Sequence, residues 1–229
     1  MFNRPELVIF DLDNTLYDYE IANASGEAAL IGFLSKHLGK SELEISRVWK
    51  ESRQRVKGRL ESTASSHSRL LYIRELLVQL DTHTNAAFAL ECEQVFWREY
   101  LQKTQLFPGV KELFSLLRLA KTHLVLVTDH SSQIQLRKLA WLGLDKTFEL
   151  IITSEEAGGD KKTGLPEALL REYISPLHET WSVGDQDCDH IFPGESKFLK
   201  KMPSGKVNEK SQNMFEFSSF EELLVHIEF

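Results

Sequence analysis

The sequence predicts an α/β protein built on a mostly parallel sheet, with a bundle of four helices inserted after the first strand. Three observations predict it. Short apolar runs end, one after another, on polar or acidic residues. From about residue 105 onward these runs alternate with amphipathic stretches of helical period. Between the first run and that point the period is helical only. The division expected is a sheet domain of residues 1–16 and 105–229, with a helical domain of residues 17–104.

The first run, Leu7-Val8-Ile9-Phe10, is continuous and apolar, as suits a strand buried on both faces of a parallel sheet. It runs into Asp11-Leu12-Asp13-Asn14-Thr15. In extended backbone Asp11 and Asp13 point the same way, and two such carboxylates repel unless a cation or a shared proton intervenes. The stretch also fits a plain strand followed by a turn at Asn14.

Ile31, Leu34 and Leu38 recur at helical spacing before the stop at Gly39. Ser41 with Glu44 forms a capping-box start for a second helix running toward Gly58. After a polar stretch at 61–68, Leu70, Ile73, Leu77 and Leu80 mark a third helix, and Phe88 to Tyr100 a fourth. Short connections between four such helices read as a small bundle.

Beyond Pro108-Gly109, a helix from Val110 to Leu119 leads to the strand Leu124–Val127, which ends on Thr128-Asp129. Ser132 with Gln135 is read as the cap of the next helix, which ends at Leu142-Gly143. The strand Leu150-Ile151-Ile152 precedes a loop carrying Lys161 and Lys162, and Pro166 opens a helix to about Tyr173. The strand Thr180–Val183 ends on Gly184-Asp185-Gln186-Asp187-Cys188-Asp189. Further on, Pro193-Gly194 and Pro203-Ser204-Gly205 signal turns, Met214–Phe217 reads as a late strand, and Phe220 to Ile227 as a terminal helix. No strand is expected between Asp189 and Pro203. Trp141 and Trp181 are expected in the core.

A net charge of −7 without any Lys/Arg block argues against nucleic acid or an anionic membrane as the main partner. No apolar run approaches a membrane span, and the start lacks the long apolar segment of a signal peptide. Cys92 and Cys188 are far apart without metal-ligand spacing, so a reducing, cytoplasmic setting is expected.

Ligands of open α/β sheets sit beyond the carboxyl ends of the strands. There the sequence places Asp11 and Asp13, Thr128, a loop lysine, and Asp185, Asp187 and Asp189. Such an acidic rim is tolerable when some members hold a hard cation such as Mg²⁺, which also screens an incoming phosphate. Asp187 is expected to be a solvated loop residue and Cys188 a packing residue.

Asp11-x-Asp13-x-Thr15, a strand ending in Thr128, Lys161, and Gly184-Asp185-x-x-x-Asp189 together resemble the four ordered motifs of the haloacid dehalogenase-like (HAD) hydrolase superfamily. The stretches Leu136–Leu139, Leu142–Leu144 and Ser154–Glu156 are similar too. The resemblance implies a Rossmann-like parallel sheet core and makes the inserted four-helix bundle a cap domain. It implies an Mg²⁺-dependent phosphatase acting on a small, sugar phosphate-like metabolite. Asp11 would be the nucleophile forming an aspartyl-phosphate, and Asp13 the acid and base, a role needing a pKa well above about 3.9. Asp11, Asp13 through its main-chain carbonyl, Asp185 and Asp189 would hold the metal.

Thr128, Asp129 and Lys161 are carried over as phosphate-binding. Asp129 stands where Asn is more common, so its side chain is expected to turn away or to help cap the next helix. The usual Lys-Pro pair is absent, and Lys161 is preferred to Lys162 for its spacing to Gly164 and Pro166. Tyr17, His67, Arg69 and Tyr72 are candidates to read the substrate, with ordinary surface polarity of a helix start as the competing reading of the last three. A phosphomutase is a competing function, but the acidic, aromatic Tyr17-Asp18-Tyr19-Glu20 favours hydrolysis. A non-catalytic binding scaffold is opposed by the presence of both Asp11 and Asp13.

Overall fold

A computed structural model describes residues 4–82, 85–203 and 214–227. The chain divides into two compact units, Met1–Asp18 with Gln105–Phe229, and Tyr19–Thr104. Tyr17 stays with the first because its backbone bridges to Asp13 and Leu106, and Phe107 N donates to Leu16 O at 2.9 Å.

Among the described residues the first unit holds one six-stranded sheet. Its strands are β1 (Leu7–Phe10), β2 (His123–Thr128), β3 (Leu150–Thr153), β4 (Thr180–Gly184), β5 (Lys197–Lys201) and β6 (Met214–Phe217). All pairs are parallel, in the order β3-β2-β1-β4-β5-β6. β1 is the central strand where the order reverses, the place where open α/β sheets leave a crevice for ligands. Phe10 is in register with Leu126 of β2 and Val183 of β4, so Asp11, Thr128 and Asp185 all follow at the same rim.

β1 is buried from end to end, which explains its unbroken apolar sequence. Leu7 and Ile9 join Val125, Val127, Ile152 and Leu170 in one core cluster. Phe10, pointing oppositely, meets Phe114 edge-on with ring centroids 5.1 Å apart. Helices α5 (Val110–Leu119), α6 (Ser132–Leu142), α7 (Ser154–Ala157), α8 (Leu165–Tyr173) and α9 (Phe220–Val225) complete this unit.

The segment after Asp189 departs from expectation. Lys197–Lys201 is a strand, and the twelve residues joining β4 to it contain a single 3₁₀ turn, Asp187–Asp189, and no helix. Phe198 and Leu199 are buried, while Lys197 and Lys200 reach outward to Glu179 and Asp187 at 2.7 and 2.6 Å. The lysines therefore hid a strand whose buried positions are apolar. The turn expected at Ser204-Gly205 lies outside the described residues. Trp181 is buried as expected, but Trp141 near the end of α6 is exposed.

The second unit holds α1 (Tyr19–Leu38), α2 (Glu42–Leu60), α3 (Arg69–Gln79) and α4 (Ala86–Lys103), with a 3₁₀ turn at Ala64–His67. Side chains of Ser41, Ser68 and Asn85 cap the last three helices, accepting from Glu44 N, Leu71 N and Ala87 N. α1 lies close on α4, where a Cβ on Gly26 would come within 3.0 Å of the Phe96 ring. Among the described residues no helix is long and apolar enough to cross a membrane.

Candidate active site

The site is built from the loops that leave β1, β2 and β4, together with the loop before α8. After β1 the chain folds into a tight turn in which Leu16 N donates to Leu12 O at 3.0 Å and Asn14 adopts φ 64°. Asn tolerates this left-handed conformation better than most residues. The turn returns Thr15 toward Asp11, and its hydroxyl donates to Asp11 Oδ2 at 2.9 Å.

Asp11 Oδ1 accepts from the Lys161 ammonium at 2.5 Å. Lys161 is buried on a short 3₁₀ turn and also donates to Asp189 Oδ1, whereas Lys162 is exposed. Of the two lysines, Lys161 is the one that reaches Asp11. Asp189 sits on the 3₁₀ turn after β4, where its Oδ2 accepts from Gln186 N at 2.8 Å.

One oxygen each from Asp11, Asp185 and Asp189 can lie within 4.8 Å of one another. This set fits a divalent cation: three carboxylates facing one ammonium leave two negative charges in a largely buried rim, and hard dications take carboxylate oxygens. Burial pushes the Asp11 carboxyl well up, the Lys161 ammonium opposes this, and Asp189 and Asp185 add to it. Burial and Asp189 likewise push Asp185 up to about 6. For Lys161 burial acts downward, but Asp11 and Asp189 outweigh it and hold the ammonium charged.

Asp13 is turned to different partners. Lys138 Nζ donates to both of its oxygens at 2.8 Å, the Tyr17 hydroxyl donates to Oδ1, and Gln135 Nε2 lies 3.4 Å from Oδ2. Its carboxylate is thus outside the acidic cluster. Burial acts to raise its pKa, but Lys138, Tyr17 and Gln135 outweigh burial and hold the carboxyl below the usual range. This is the reverse of the raised value expected from the sequence.

Thr128 is buried at the end of β2, and its Oγ1 accepts from Gln135 Nε2 at 2.6 Å. Asp129 does not cap α6. Its Oδ1 accepts from Lys161 N at 2.8 Å, which ties the β2 loop to the lysine loop. The expected cap by Ser132 and Gln135 is also absent. The N-cap of α6 is Ser131 without a side-chain cap, Ser132 Oγ pairs with Thr153 Oγ1 at 2.8 Å, and Gln135 reaches into the site.

Lys138 and Gln135 are the site residues that sequence reasoning missed. Their spacing of three on one helix was the available signal, since it puts both on one face just after the Thr128 strand. Tyr17, expected to read the substrate, is fully buried against Asp13. Asp187 pairs with Lys200 at 2.6 Å, and burial pushes the Cys188 thiol up to about 11.

Within the helical unit, Arg69 and Tyr72 are buried rather than ordinary surface groups. Arg69 donates to His67 O, to the Tyr19 hydroxyl and to Asn23 Oδ1 at 2.7–2.9 Å, and Tyr72 donates to Ser66 O.

Residues 8–192 match the family model described as haloacid dehalogenase-like hydrolase, and the chain belongs to that family. It is therefore a hydrolase-superfamily enzyme. It is 34% identical over 184 residues to a ribulose-1,5-bisphosphate 5-phosphatase of Halopiger xanaduensis, covering 78% of this chain and 75% of that one. It is 26% identical over 197 residues to a phosphoglycolate phosphatase of Pseudomonas syringae pv. syringae, covering 81% of this chain and 64% of that one. The magnesium-bound HAD-hydrolase YfnB of Bacillus subtilis shares the fold at 22% identity and a TM-score of 0.64, over 97% of this chain and 98% of that one.

Proposed function

We propose that this protein is an Mg²⁺-dependent phosphatase that hydrolyses a small, sugar phosphate-like ester through an aspartyl-phosphate on Asp11. The observation that carries the reading is the Lys161 ammonium bridging Asp11 and Asp189 inside a carboxylate trio suited to a dication. The two phosphatase relatives, whose names specify small phosphorylated compounds, support the substrate class.

Asp11, Asp185 and Asp189, with the main-chain carbonyl of Asp13, would hold Mg²⁺. Once bound, the ion would supply positive charge that lets an anionic ester approach the acidic rim. Lys161 stays charged beside Asp11 and neutralises both the nucleophile and the arriving phosphoryl oxygens. Thr128 and the turn N–H groups beside it hold those oxygens. Asp129, which already accepts from Lys161 N, fixes the lysine loop rather than touching phosphate itself.

In the first step an Asp11 oxygen bonds to phosphorus, the ester P–O bond breaks, and the leaving oxygen takes a proton from Asp13. Held below the usual carboxyl range, Asp13 starts ionised, so that proton arrives with a monoanionic ester. In the second step water attacks phosphorus and passes a proton to Asp13. The Asp11–phosphorus bond breaks and phosphate departs.

The test is a panel of phosphorylated metabolites scored for Mg²⁺-dependent phosphate release. Asp11→Asn is expected to abolish release, and wild-type protein is expected to carry phosphate on Asp11 when quenched in acid. Phosphate release that survives Asp11→Asn would overturn the reading.

A further inference from the structure

The Asp13 carboxylate is gripped from one direction. Lys138 Nζ bonds both oxygens at 2.8 Å, and the Lys138 side chain is almost wholly buried. The Tyr17 ring lies beside that ammonium, 5.9 Å from ring centroid to Nζ, and its hydroxyl donates to Asp13 Oδ1. Gln135, one turn earlier on α6, sends its amide nitrogen to Thr128 Oγ1 and Asp129 O, both at 2.6 Å, and to Asp13 Oδ2 at 3.4 Å. Asp129 O and the Asp13 carboxylate can only accept, so they fix the amide with its nitrogen toward the site.

This grip answers a specific hazard. Asp13 lies two residues after Asp11, and a free carboxylate there would be drawn toward a cation held by Asp11, Asp185 and Asp189. A carboxylate captured that way cannot deliver a proton to the leaving oxygen. Donors on α6 hold it elsewhere, and Gln135 couples it to the β2 loop that carries Thr128.

We propose that Lys138, assisted by Gln135, is a positioning residue that keeps the Asp13 carboxyl beside Thr128 and outside the cation-binding trio. The inference rests on the phosphatase reading, in which Asp13 moves the proton. It assigns to α6 a role in catalysis that none of the four sequence motifs contains.

The test compares 4-nitrophenyl phosphate, whose leaving group departs without help, with phenyl phosphate, whose leaving oxygen needs a proton. General-acid assistance contributes about 10²–10⁴-fold, and only the second ester depends on it heavily. For Mg²⁺-loaded Lys138→Met, kcat/KM, which reports transfer to Asp11 and not the later water attack that also uses Asp13, should fall by at least about 100-fold on phenyl phosphate and by less than about 10-fold on 4-nitrophenyl phosphate. Lys138→Arg, which restores a charged donor, should recover part of the phenyl phosphate rate. In an Asp13→Asn background Lys138→Met should add no further selectivity between the esters.

A merely structural role would lower kcat/KM for both esters together, so equal losses in kcat/KM overturn the proposal, as does no loss. Should Lys138→Met fail to fold, Gln135→Leu reads the same selectivity at a smaller loss of about 10-fold, and equal losses there also overturn it. A folded wild-type protein that releases phosphate from neither ester would overturn the phosphatase reading and this inference with it. An active wild type with unselective variants would overturn the positioning role alone.

Discussion

Asp189 packs directly over Gly184, so that a Cβ added at position 184 would overlap the Asp189 Cβ and its carboxylate. Gly184 is the last residue of β4, and the chain turns after it into the 3₁₀ turn that carries Asp189. The absent side chain at 184 is therefore what lets Asp189 fold back to Lys161 and join Asp11 and Asp185. Gly184→Ala should displace Asp189 while leaving the strand intact, because Ala suits a buried strand at least as well as Gly. The expected result is a Mg²⁺ requirement raised at least about 10-fold, the size of effect seen when a ligand's support is lost. Titrating activity with Mg²⁺ checks it, and an unchanged half-saturating concentration would contradict the packing argument.

Lys161 and Lys162 are adjacent and chemically alike, yet one is buried between Asp11 and Asp189 and the other faces solvent. Lys161→Ala should cut kcat/KM by about 10²–10³-fold, the usual range for loss of one donor to the transferring group. Lys162→Ala should leave it within about 2-fold, as for most exposed sites. Comparing the two variants on one ester measures this, and equal losses would mean that the loop is read wrongly.

The sequence disclosed the parts of this site that end strands. Leu7–Phe10 announces a buried strand by its unbroken apolar run, and Asp11 must then emerge at the rim whatever follows. Lys138 and Gln135 were hidden because helical period tells which residues share a face, not which buried polar group crosses to another element. Gln135 three residues after Ser132 also satisfies a capping-box pattern by composition, although its amide goes to Thr128 and Asp129. Of the two alternatives for Asp129, turning away or capping α6, the cap is not formed, and its partner, a backbone N–H 32 residues away, is beyond the reach of local pattern. β5 was missed because three lysines in five residues mask Phe198 and Leu199, the two that are buried.

Arg69 is the buried hub of the helical unit. Its guanidinium has three hydrogen-bond acceptors and lies 5.4–5.8 Å from the ring centroids of Tyr19, Tyr72, Phe96 and Trp97. Arg69→Ala takes the donor from these acceptors and opens a cavity among the rings, so it should destabilise the protein by about 2–5 kcal/mol. Arg69→Lys should recover only part, because an ammonium lacks the planar fork. Urea unfolding of both variants measures this. A loss below about 1 kcal/mol for the alanine variant would place its energetics with ordinary surface changes.

The pH dependence of metal binding follows from Asp185, whose carboxyl is pushed up to about 6 by burial and then by the neighbouring Asp189. An acid whose folded value lies above the unfolded value of about 3.9 binds its proton more tightly when folded. Without metal, its contribution to stability is therefore greatest at low pH and is lost as the pH rises through about 6. Mg²⁺ needs the ionised form and competes with that proton, so the sign reverses when the ion is present. The rise in thermal midpoint caused by millimolar Mg²⁺ should be largest above pH 7 and should shrink as the pH falls through about 6. Asp185→Asn removes the titrating group and should give a smaller, flatter Mg²⁺ response over the same range. The measurement is the difference in unfolding midpoint with and without Mg²⁺ from about pH 5 to 8, a window that brackets the shifted group. A difference in the wild type that stays constant across that window would show that protons and the ion do not compete at Asp185.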